Sequence, residues 1–290
     1  MTDRPRLIVN ADDFGLAREV NDAVAAAHEA GTVSSATLLA AAPGTEHAVR
    51  MAERLPRLGI GLHLDLTLGR PICPPATLPT LVDGAGRFHG QAALAIRALS
   101  GRISRDDVAR ELSAQLDRLG ALGVFPTHVD GHQHVQVLPG VLPAVLGIAR
   151  ARGLPVRVPF VHHVLRLRSL LPRVLLDVLC RRAVRAGAPF VADGFASVFD
   201  DTEPPGPRTY ARLLARARCQ VLELMVHPIR PSAALAALQP GIYATALAEG
   251  RALLDPATRE VFEAGSSGLL TYREAQVLRQ GGLARGESRR

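Results

Sequence analysis

The stretch "LIVNADDFG", residues 7–15, begins as a short apolar run and ends in two adjacent aspartates, an aromatic residue and a glycine. An apolar run of this length is typical of a buried β-strand. Adjacent carboxylates repel each other, and a nearby cation relieves that repulsion. The stretch therefore predicts a strand whose carboxyl end carries functional charge at Asp12 and Asp13. The alternative is that one of them only caps a helix that begins near Ala17.

Further apolar runs of strand length stop abruptly at polar residues, and they lie at 34–40, 58–66, 125–134, 154–160 and 221–228. The stretches between them place apolar residues at helical spacing, as in residues 18–31, which end at a glycine. Strands that alternate with helices predict parallel pairing and an α/β fold. No change of composition marks a boundary, so we expect a single domain over residues 1–280 and a basic, flexible tail over 281–290.

The helix predicted over residues 104–123 has the most complete signal. Ser104 is a suitable N-cap, and two acidic residues follow it in the first turn, where the helix dipole favours negative charge. One stripe of this helix is apolar and predicts the buried face, formed by Val108, Leu112, Leu116 and Leu119.

Two stretches depart from the alternation of strands and helices. Residues 69–90 are rich in proline and glycine, and a loop this long is usually functional or disordered. Residues 165–185 are apolar and carry six arginines. They predict either a barrel helix with a charged outer face or a basic amphipathic surface that contacts lipid.

The basic residues of this chain exclude several kinds of chemistry. All 34 of them are arginines, so a Schiff-base lysine, a lysine general base and a phosphate-loop lysine are ruled out. A net charge of +7 suits a nucleic acid, an anionic membrane surface or an acidic substrate. Aromatic residues make up only 4% and the arginines are dispersed, so we expect no nucleic-acid partner. No feature specifies an oligomeric state.

The cysteines and the apolar segments predict a cytoplasmic location. Cys73, Cys180 and Cys219 lie far apart without a CxxC spacing, which favours reduced thiols over a zinc ribbon or a disulfide framework. The N-terminal residues lack the apolar segment of a signal peptide, and no apolar stretch reaches about 18 residues. We expect a soluble protein, with residues 165–185 as the candidate for a peripheral contact with the inner membrane.

Histidines follow the predicted strands at several places. In a (β/α) barrel the carboxyl ends of the strands converge on one face, where active sites are built. Carboxylates and imidazoles with open positions for water are the ligands of a hydrolytic divalent-metal site. The side chains that converge in this way are Asp12, Asp13, His63, His128, His132 and His227.

The spacing of these residues suggests a division of roles. Successive side chains of a strand point to opposite faces, so one aspartate could bind the metal while the other faces its water. Of His128 and His132, one is expected to be a metal ligand and the other to lie behind it. Asp130 could accept the second ring N–H of a ligand histidine. His227 could be a general acid, with a structural hydrogen bond as the alternative.

The motifs "LIVNADDFG", "GLHLDLTLGRP", "PTHVDGHQH" and "HP", in this order, resemble the YdjC/ChbG-like carbohydrate deacetylases. Within the family, "GLHLDLTLGRP" (61–71) followed by "LPTLVDGAGRF" (78–88) is most similar to the hopanoid-biosynthesis-associated (HpnK-type) members. The resemblance implies a TIM-like (β/α) barrel. The alternatives to a regular barrel are a distorted one or one with fewer than eight regular strands. It also implies one divalent metal ion, magnesium or zinc.

The resemblance implies a role for each matching residue. Asp13, His63 and His132 would be the metal ligands, Asp12 the general base and His227 the general acid. His128 and Asp130 would lie behind the ligands or contact substrate. The chain departs from the family at Gln136, where relatives often have a histidine, and this puts an outer substrate contact in doubt.

The function implied is removal of the acetyl group from an N-acetylglucosamine unit attached to a hopanoid lipid, with release of acetate. The alternative substrate is a soluble chito-oligosaccharide. A barrel that binds a sugar or lipid without turnover is the alternative outside enzymes, and a metal-dependent phosphoesterase is a third.

Overall fold

The computed structural model describes residues 4–159 and 170–286. Their strands form one six-stranded, fully parallel sheet in the order β4-β3-β2-β1-β6-β5. The sheet curls into a half barrel surrounded by helices, which confirms the predicted TIM-like (β/α) barrel in its form with fewer than eight strands. The strands are β1 Arg6–Phe14, β2 Ser35–Leu38, β3 Gly59–Leu64, β4 Val129–Gly131, β5 Gly194–Ser197 and β6 Val221–Val226.

The helices cover the sheet and connect its strands. Those of the first half are α1 Arg18–Glu29, α2 Thr45–Arg54, α3 Gln91–Leu99, α4 Arg105–Ala121 and α5 Leu142–Arg152. Those of the second half are α6 Leu170–Arg185, α7 Pro207–Arg216, α8 Ala233–Leu238, α9 Tyr243–Ala252, α10 Pro256–Gly265 and α11 Tyr272–Gly286.

Strand β1 lies in the middle of the sheet. It pairs with β2 on one side and with β6 on the other, and all of its residues after Arg6 are buried. A strand covered on both faces is apolar throughout rather than alternating, which explains its opening run. Its carboxyl end therefore lies at the centre of the sheet edge, where Asp12 and Asp13 stand among the neighbouring strand ends.

Helix α4 forms as its sequence predicts. The hydroxyl of Ser104 accepts a hydrogen bond from the amide of Asp107, and the predicted stripe of four apolar side chains is buried. Helix α1 ends at Glu29, two residues before Gly31, whose φ of +79° suits glycine. These two helices confirm the helical part of the predicted alternation.

The strand predicted over residues 154–160 is wrong, and a different strand takes its place in the sheet. Only Val156 makes a bridge, to Val129, and position 160 lies outside the described residues. Pro155 and Pro159 cannot donate ladder hydrogen bonds, which disfavours a strand here. The fifth strand is instead β5, Gly194–Ser197, which is short and has no apolar run to reveal it.

The other segments singled out from the sequence are described in part or in full. In residues 69–90 the side chains of Leu78 and Leu81 are fully buried, so this loop packs on the domain. Helix α6 begins at Leu170, and residues 165–169 lie outside the described part. Helix α11 continues to Gly286 within the stretch expected as a tail, while 287–290 are not described. Among residues 4–159 and 170–286, no helix combines the length and apolar character needed to cross a membrane.

Candidate active site

A cavity of about 420 Å³ opens at the carboxyl edge of the sheet. Five of the residues predicted for the site line it, namely Asp12, Asp13, His63, His132 and His227. The other two predicted residues, His128 and Asp130, are fully buried beneath its floor. The cavity therefore brings together side chains from the ends of β1, β3, β4 and β6.

Asp13 reaches the cavity through an irregularity in β1. Its φ is +61°, and the register between β1 and β2 shifts between Ala11 and Phe14, as at a β-bulge. Aspartate tolerates this left-handed conformation better than most residues do. The carboxylates of Asp12 and Asp13 thus face the same cavity with different partners. A bulge, rather than strand alternation, gives the two carboxylates their different surroundings, and their expected division into metal ligand and base stays a prediction.

Asp13, His63 and His132 form a compact group. Oδ1 of Asp13 lies 3.2 Å from Nε2 of His63 and 2.8 Å from Nδ1 of His132. One ligand atom from each residue can be chosen so that all lie within 4.8 Å of one another, and all three residues are buried. One carboxylate and two imidazoles are a donor set that suits a divalent ion. These residues therefore fit the metal that the sequence predicts.

The electrostatics of this group also suit a cation. Burial lowers the pKa of His63, but the carboxylates of Asp130, Asp13 and Asp12 outweigh it and raise that pKa well above its usual value. Burial likewise lowers the pKa of His132, and Asp13 raises it overall. The site thus favours positive charge, which either protons on the imidazoles or a bound cation would supply.

Asp130 holds His63 from behind. Its Oδ1 lies 2.7 Å from Nδ1 of His63, and its Oδ2 accepts a hydrogen bond from the hydroxyl of Thr37 at 2.9 Å. A carboxylate on Nδ1 leaves Nε2 of the imidazole free to bind a metal. Asp12, His63 and Asp130 form a second compact group. Arg157 already lies between its two carboxylates, so a cation there would be repelled.

His128 is a packing residue in this structure. Its ring stacks on Tyr272 with centroids 3.6 Å apart, and Nε2 lies 3.2 Å from Oδ1 of Asn10. Gly61 makes room for the ring, because a Cβ there would lie 2.5 Å from it. Burial holds the pKa of His128 well below its usual value, so the imidazole is neutral. Of the two histidines left open by the sequence, His132 is the one in the cavity.

Arg157 is one of the residues of the site that the sequence did not predict. It is almost completely buried and contacts three carboxylates. Its Nη1 lies 2.6 Å from Asp12 and 2.8 Å from Asp130, while its Nε donates to Glu223 at 2.7 Å. One feature of the sequence could have revealed it: Arg157 is the single charged residue inside the apolar run at 154–160. A charge buried in such a run requires oppositely charged partners.

Asp12 is clamped by this arginine. Nη1 and Nη2 of Arg157 donate to its two oxygens at 2.6 and 2.7 Å, and Asn10 adds a hydrogen bond at 2.9 Å. Burial raises the pKa of Asp12, but the charge of Arg157 outweighs it and holds that pKa well below its ordinary value. Asp12 is therefore a carboxylate with a fixed orientation at neutral pH.

His227 follows β6 and faces the same cavity. Its Nε2 lies 3.9 Å from Oδ2 of Asp12, and its backbone amide donates to Glu249 at 2.7 Å. Among the described residues, its Nδ1 is buried without a hydrogen-bond partner. Burial lowers the pKa of His227 despite the nearby carboxylates. The ring thus places Nε2 near Asp12 but beyond hydrogen-bond distance, while Nδ1 is the nitrogen without a partner.

Three more residues belong to the site and were not predicted. Gln239 follows α8, and its Nε2 donates to Oδ2 of Asp13 at 3.1 Å. Gln133 and His134 also line the cavity, and both have left-handed backbone conformations. Gln136, by contrast, is buried and donates to the carbonyl of Arg157 at 3.3 Å. Gln136 therefore contacts the backbone of Arg157 rather than the cavity.

Clustered carboxylates and imidazoles at the carboxyl edge of a curled parallel sheet define a barrel protein with a candidate metal centre. A family model described as YdjC-like protein matches residues 6–264, and the chain belongs to this family.

The relatives agree with this assignment. The chitooligosaccharide deacetylase of Serratia marcescens is 35% identical over 226 residues, which cover 77% of this chain and 81% of that protein. The carbohydrate deacetylase of Brevibacillus brevis is 44% identical over 155 residues. That match covers 53% of this chain, and the chain spans only 60% of the length of that relative.

A solved structure supports the fold over nearly the whole chain. It is that of a candidate cellobiose-phosphate cleavage protein from Enterococcus faecalis V583, which superposes with a TM-score of 0.75 at 27% sequence identity. The superposition covers 94% of this chain and 99% of that one.

Proposed function

We propose that this protein is a metal-dependent deacetylase that hydrolyses the N-acetyl group of an acetylated amino sugar. The observation that carries the proposal is one cavity in which Asp13, His63 and His132 form a metal-type group beside Asp12 and His227. The names of the relatives from Serratia marcescens and Brevibacillus brevis support the same activity.

In this proposal Asp13, His63 and His132 hold one divalent ion, magnesium or zinc. When bound, such an ion polarises a carbonyl and lowers the pKa of water. Asp12 accepts a proton from the water that attacks the acetamide carbon, and Arg157 fixes the direction of its carboxylate. His227 donates a proton to the sugar nitrogen as the C–N bond breaks. Amide and water give acetate and a free amine.

A soluble chito-oligosaccharide is the substrate that we favour. It is supported by the name of the Serratia marcescens relative, which aligns with 77% of this chain. The hopanoid-linked N-acetylglucosamine suggested by the family resemblance is a second candidate. One feature supports it, since α6 exposes Leu175 and Val178, at 40% and 55%, on a helix with exposed arginines.

Acetate release from both substrates, with and without a chelator, tests these proposals. We expect release from diacetylchitobiose that stops on chelation and returns with a divalent ion. Release from the hopanoid-linked sugar alone, with sedimentation of the protein on anionic liposomes at low salt, would instead favour the lipid substrate. If the protein releases phosphate from phosphate esters and no acetate, deacetylation is contradicted. If metal-free protein stays inactive with every divalent ion added, the barrel is a binding protein rather than an enzyme.

Two substitutions test the division between the aspartates. Asp13→Ala should lose metal and activity together. Asp12→Asn should retain metal and lose turnover by about 10²–10⁴-fold, as for a general base. Because Asp12 neutralises the buried Arg157, the thermal midpoint of Asp12→Asn must be measured alongside. A folded Asp12→Asn protein without metal would contradict the assigned roles.

A further inference from the structure

The C-terminal segment that follows the family-matched residues 6–264 contributes to the floor of the site. Leu269 forms a bridge with Leu7 at the start of β1. The backbone amide of Leu7 donates to the carbonyl of Gly268 at 3.0 Å, and the amide of Leu270 donates to the carbonyl of Leu7 at 2.8 Å. These bonds join the segment to the central strand. They place Tyr272, the first residue of α11, beneath the cavity.

Tyr272 is 1% exposed and has two contacts beneath the site. Its ring stacks on His128 with an interplanar angle of 6°. Its hydroxyl donates a short hydrogen bond to Oε2 of Glu223. A buried tyrosine hydroxyl needs such a partner, and a buried glutamate needs donors on both oxygens.

Glu223 connects Tyr272 to Arg157. It lies in the middle of β6, opposite Ile8 of β1, and is 1% exposed. Its Oε1 accepts the Nε–H of Arg157 at 2.7 Å. A continuous chain of hydrogen bonds therefore runs from Tyr272 through Glu223 and Arg157 to Asp12, which faces the cavity.

The geometry of the guanidinium group explains what this chain controls. Arg157 uses Nη1 and Nη2 for Asp12 and Nε for Glu223. The donors of arginine lie in one rigid plane. A bond at Nε therefore fixes the rotation of that plane, and with it the direction of the fork that grips Asp12.

We infer that Tyr272 and Glu223 are positioning residues that orient Arg157 and, through it, the carboxylate of Asp12. The inference rests on the proposed function, in which Asp12 receives a proton from water. It assigns the C-terminal helix α11 a part in catalysis. A displacement of a reacting group by about 1 Å can cost 10²-fold in rate.

The test is a pair of variants in the full-length, metal-loaded protein. Tyr272→Phe removes the hydroxyl and keeps the ring on His128, and Glu223→Gln keeps the shape and removes the charge. We expect kcat on diacetylchitobiose to fall about 10-fold in Tyr272→Phe, with KM and metal content unchanged. Glu223→Gln should lose at least as much, and the double variant no more than Glu223→Gln alone, since the residues act in series.

The control is Thr32→Val, which removes another buried hydroxyl, one that lies within hydrogen-bond distance of the carbonyls of Ala27 and Leu253, at 2.9 and 2.8 Å. It should lower the thermal midpoint and leave kcat unchanged. A second readout does not depend on turnover. It is the Nε–H resonance of buried, exchange-protected Arg157 in a nitrogen-15 NMR spectrum. This resonance should shift in Tyr272→Phe and not in Thr32→Val.

The outcomes separate this inference from the proposed function. If the wild type releases no acetate, the proposed function is refuted. If the Arg157 resonance nevertheless shifts in Tyr272→Phe, the hydrogen-bond chain is supported independently of that function. An active wild type whose Tyr272→Phe variant keeps both kcat and the arginine resonance would overturn the inference. So would multiplicative losses in the double variant, or a loss in Thr32→Val equal to that in Tyr272→Phe.

Discussion

At the scale of single residues, the two oxygens of Asp13 have different partners. Oδ1 faces His63 and His132, while Oδ2 accepts the amide of Gln239 at 3.1 Å. The left-handed backbone of Asp13 is a conformation that costs of order 1–3 kcal/mol and persists where surrounding contacts hold it. Gln239 is one such contact, and it leaves a single oxygen directed at the metal-type group.

We predict that Gln239→Ala weakens divalent-metal binding. Loss of a residue that orients a ligand typically costs about 10–100-fold in metal affinity. Titration calorimetry of metal-free protein with zinc or magnesium measures this directly. Gln276→Ala is a matched control, because Gln276 is also half-buried and donates one hydrogen bond, to Gly153 at 3.0 Å. Equal affinities for the wild type and Gln239→Ala would show that Gln239 does not orient Asp13.

Glu249 is a buried carboxyl group whose charge state should depend on pH. It is fully buried and accepts hydrogen bonds from the backbone amide of His227 and the hydroxyl of Tyr210. Burial raises its pKa to about 8, above the 4.5 of a free glutamate. The folded state therefore binds this proton more tightly than the unfolded state does.

The sign of the resulting pH dependence follows from that difference. The stabilising contribution of protonated Glu249 is complete below about pH 4.5 and is lost as the pH rises towards 8. We predict that Glu249→Gln removes this loss, so that the unfolding free energy of the variant falls less steeply between these pH values. Urea unfolding of metal-free protein across this range measures it. Glu263→Gln, at an exposed pair with Arg259, is the control, and parallel curves for wild type and Glu249→Gln would contradict the assignment.

At the scale of secondary-structure elements, α4 anchors the loop at 69–90. The carboxylate of Glu111 accepts the amides of Ile72 and Cys73, each at 3.0 Å, and Asp107 accepts the amide and hydroxyl of Thr80. The loop leads into α3, whose first residue, Gln91, lines the cavity. A buried face of α4 thus holds the loop that leads to the site.

We predict that Glu111→Ala loosens this loop, because it leaves two amides without their acceptor. Trypsin cuts this chain only at arginines, and Arg87 is exposed within the loop. Cleavage after Arg87 should become faster in Glu111→Ala, as followed by mass spectrometry at short times. Glu260→Ala, at an exposed position of α10, is the control. Unchanged cleavage at Arg87 would mean that other contacts hold the loop.

The elements also show what the sequence can predict. The long apolar runs that become β1, β3 and β6 are recognisable because both faces of each strand are buried. The four-residue β5 has no such run, and its place in the sheet depends on tertiary pairing with β6. The prolines around Arg157 argue against a strand at 154–160. The role of Arg157 could not be predicted, because its ion-pair partners lie far away in the sequence.

The residues of the candidate site were predictable where they follow recognisable strands and not elsewhere. Strand ends locate Asp12, Asp13, His63, His132 and His227, since parallel strands place their carboxyl ends together. Gln239 lies in no strand end and could not be found from spacing. Tyr272 lies in a helix more than 40 residues after the last motif, and only the folded chain brings it under the cavity.

At the scale of the whole molecule, the metal-type group joins separate parts of the sheet. Asp13 belongs to β1, His63 to β3, and His132 follows β4. The unfolded chain does not hold these residues together, so an ion that binds all three binds the folded state. Such an ion stabilises the fold by RT ln(1 + [L]/Kd), which is about 2.7 kcal/mol at 100 times the dissociation constant.

We predict that a saturating divalent ion raises the thermal midpoint of the metal-free protein by about 5 °C, from a shift of about 2 °C per kcal/mol for a chain of this size. Differential scanning calorimetry with zinc and with magnesium measures the shift and ranks the two ions. His63→Ala should abolish it because the variant lacks one ligand. His28→Ala, in α1 away from the cavity, should retain it. If the midpoint rose equally in His63→Ala, the ion would be binding elsewhere, and Asp13, His63 and His132 would not be the metal site.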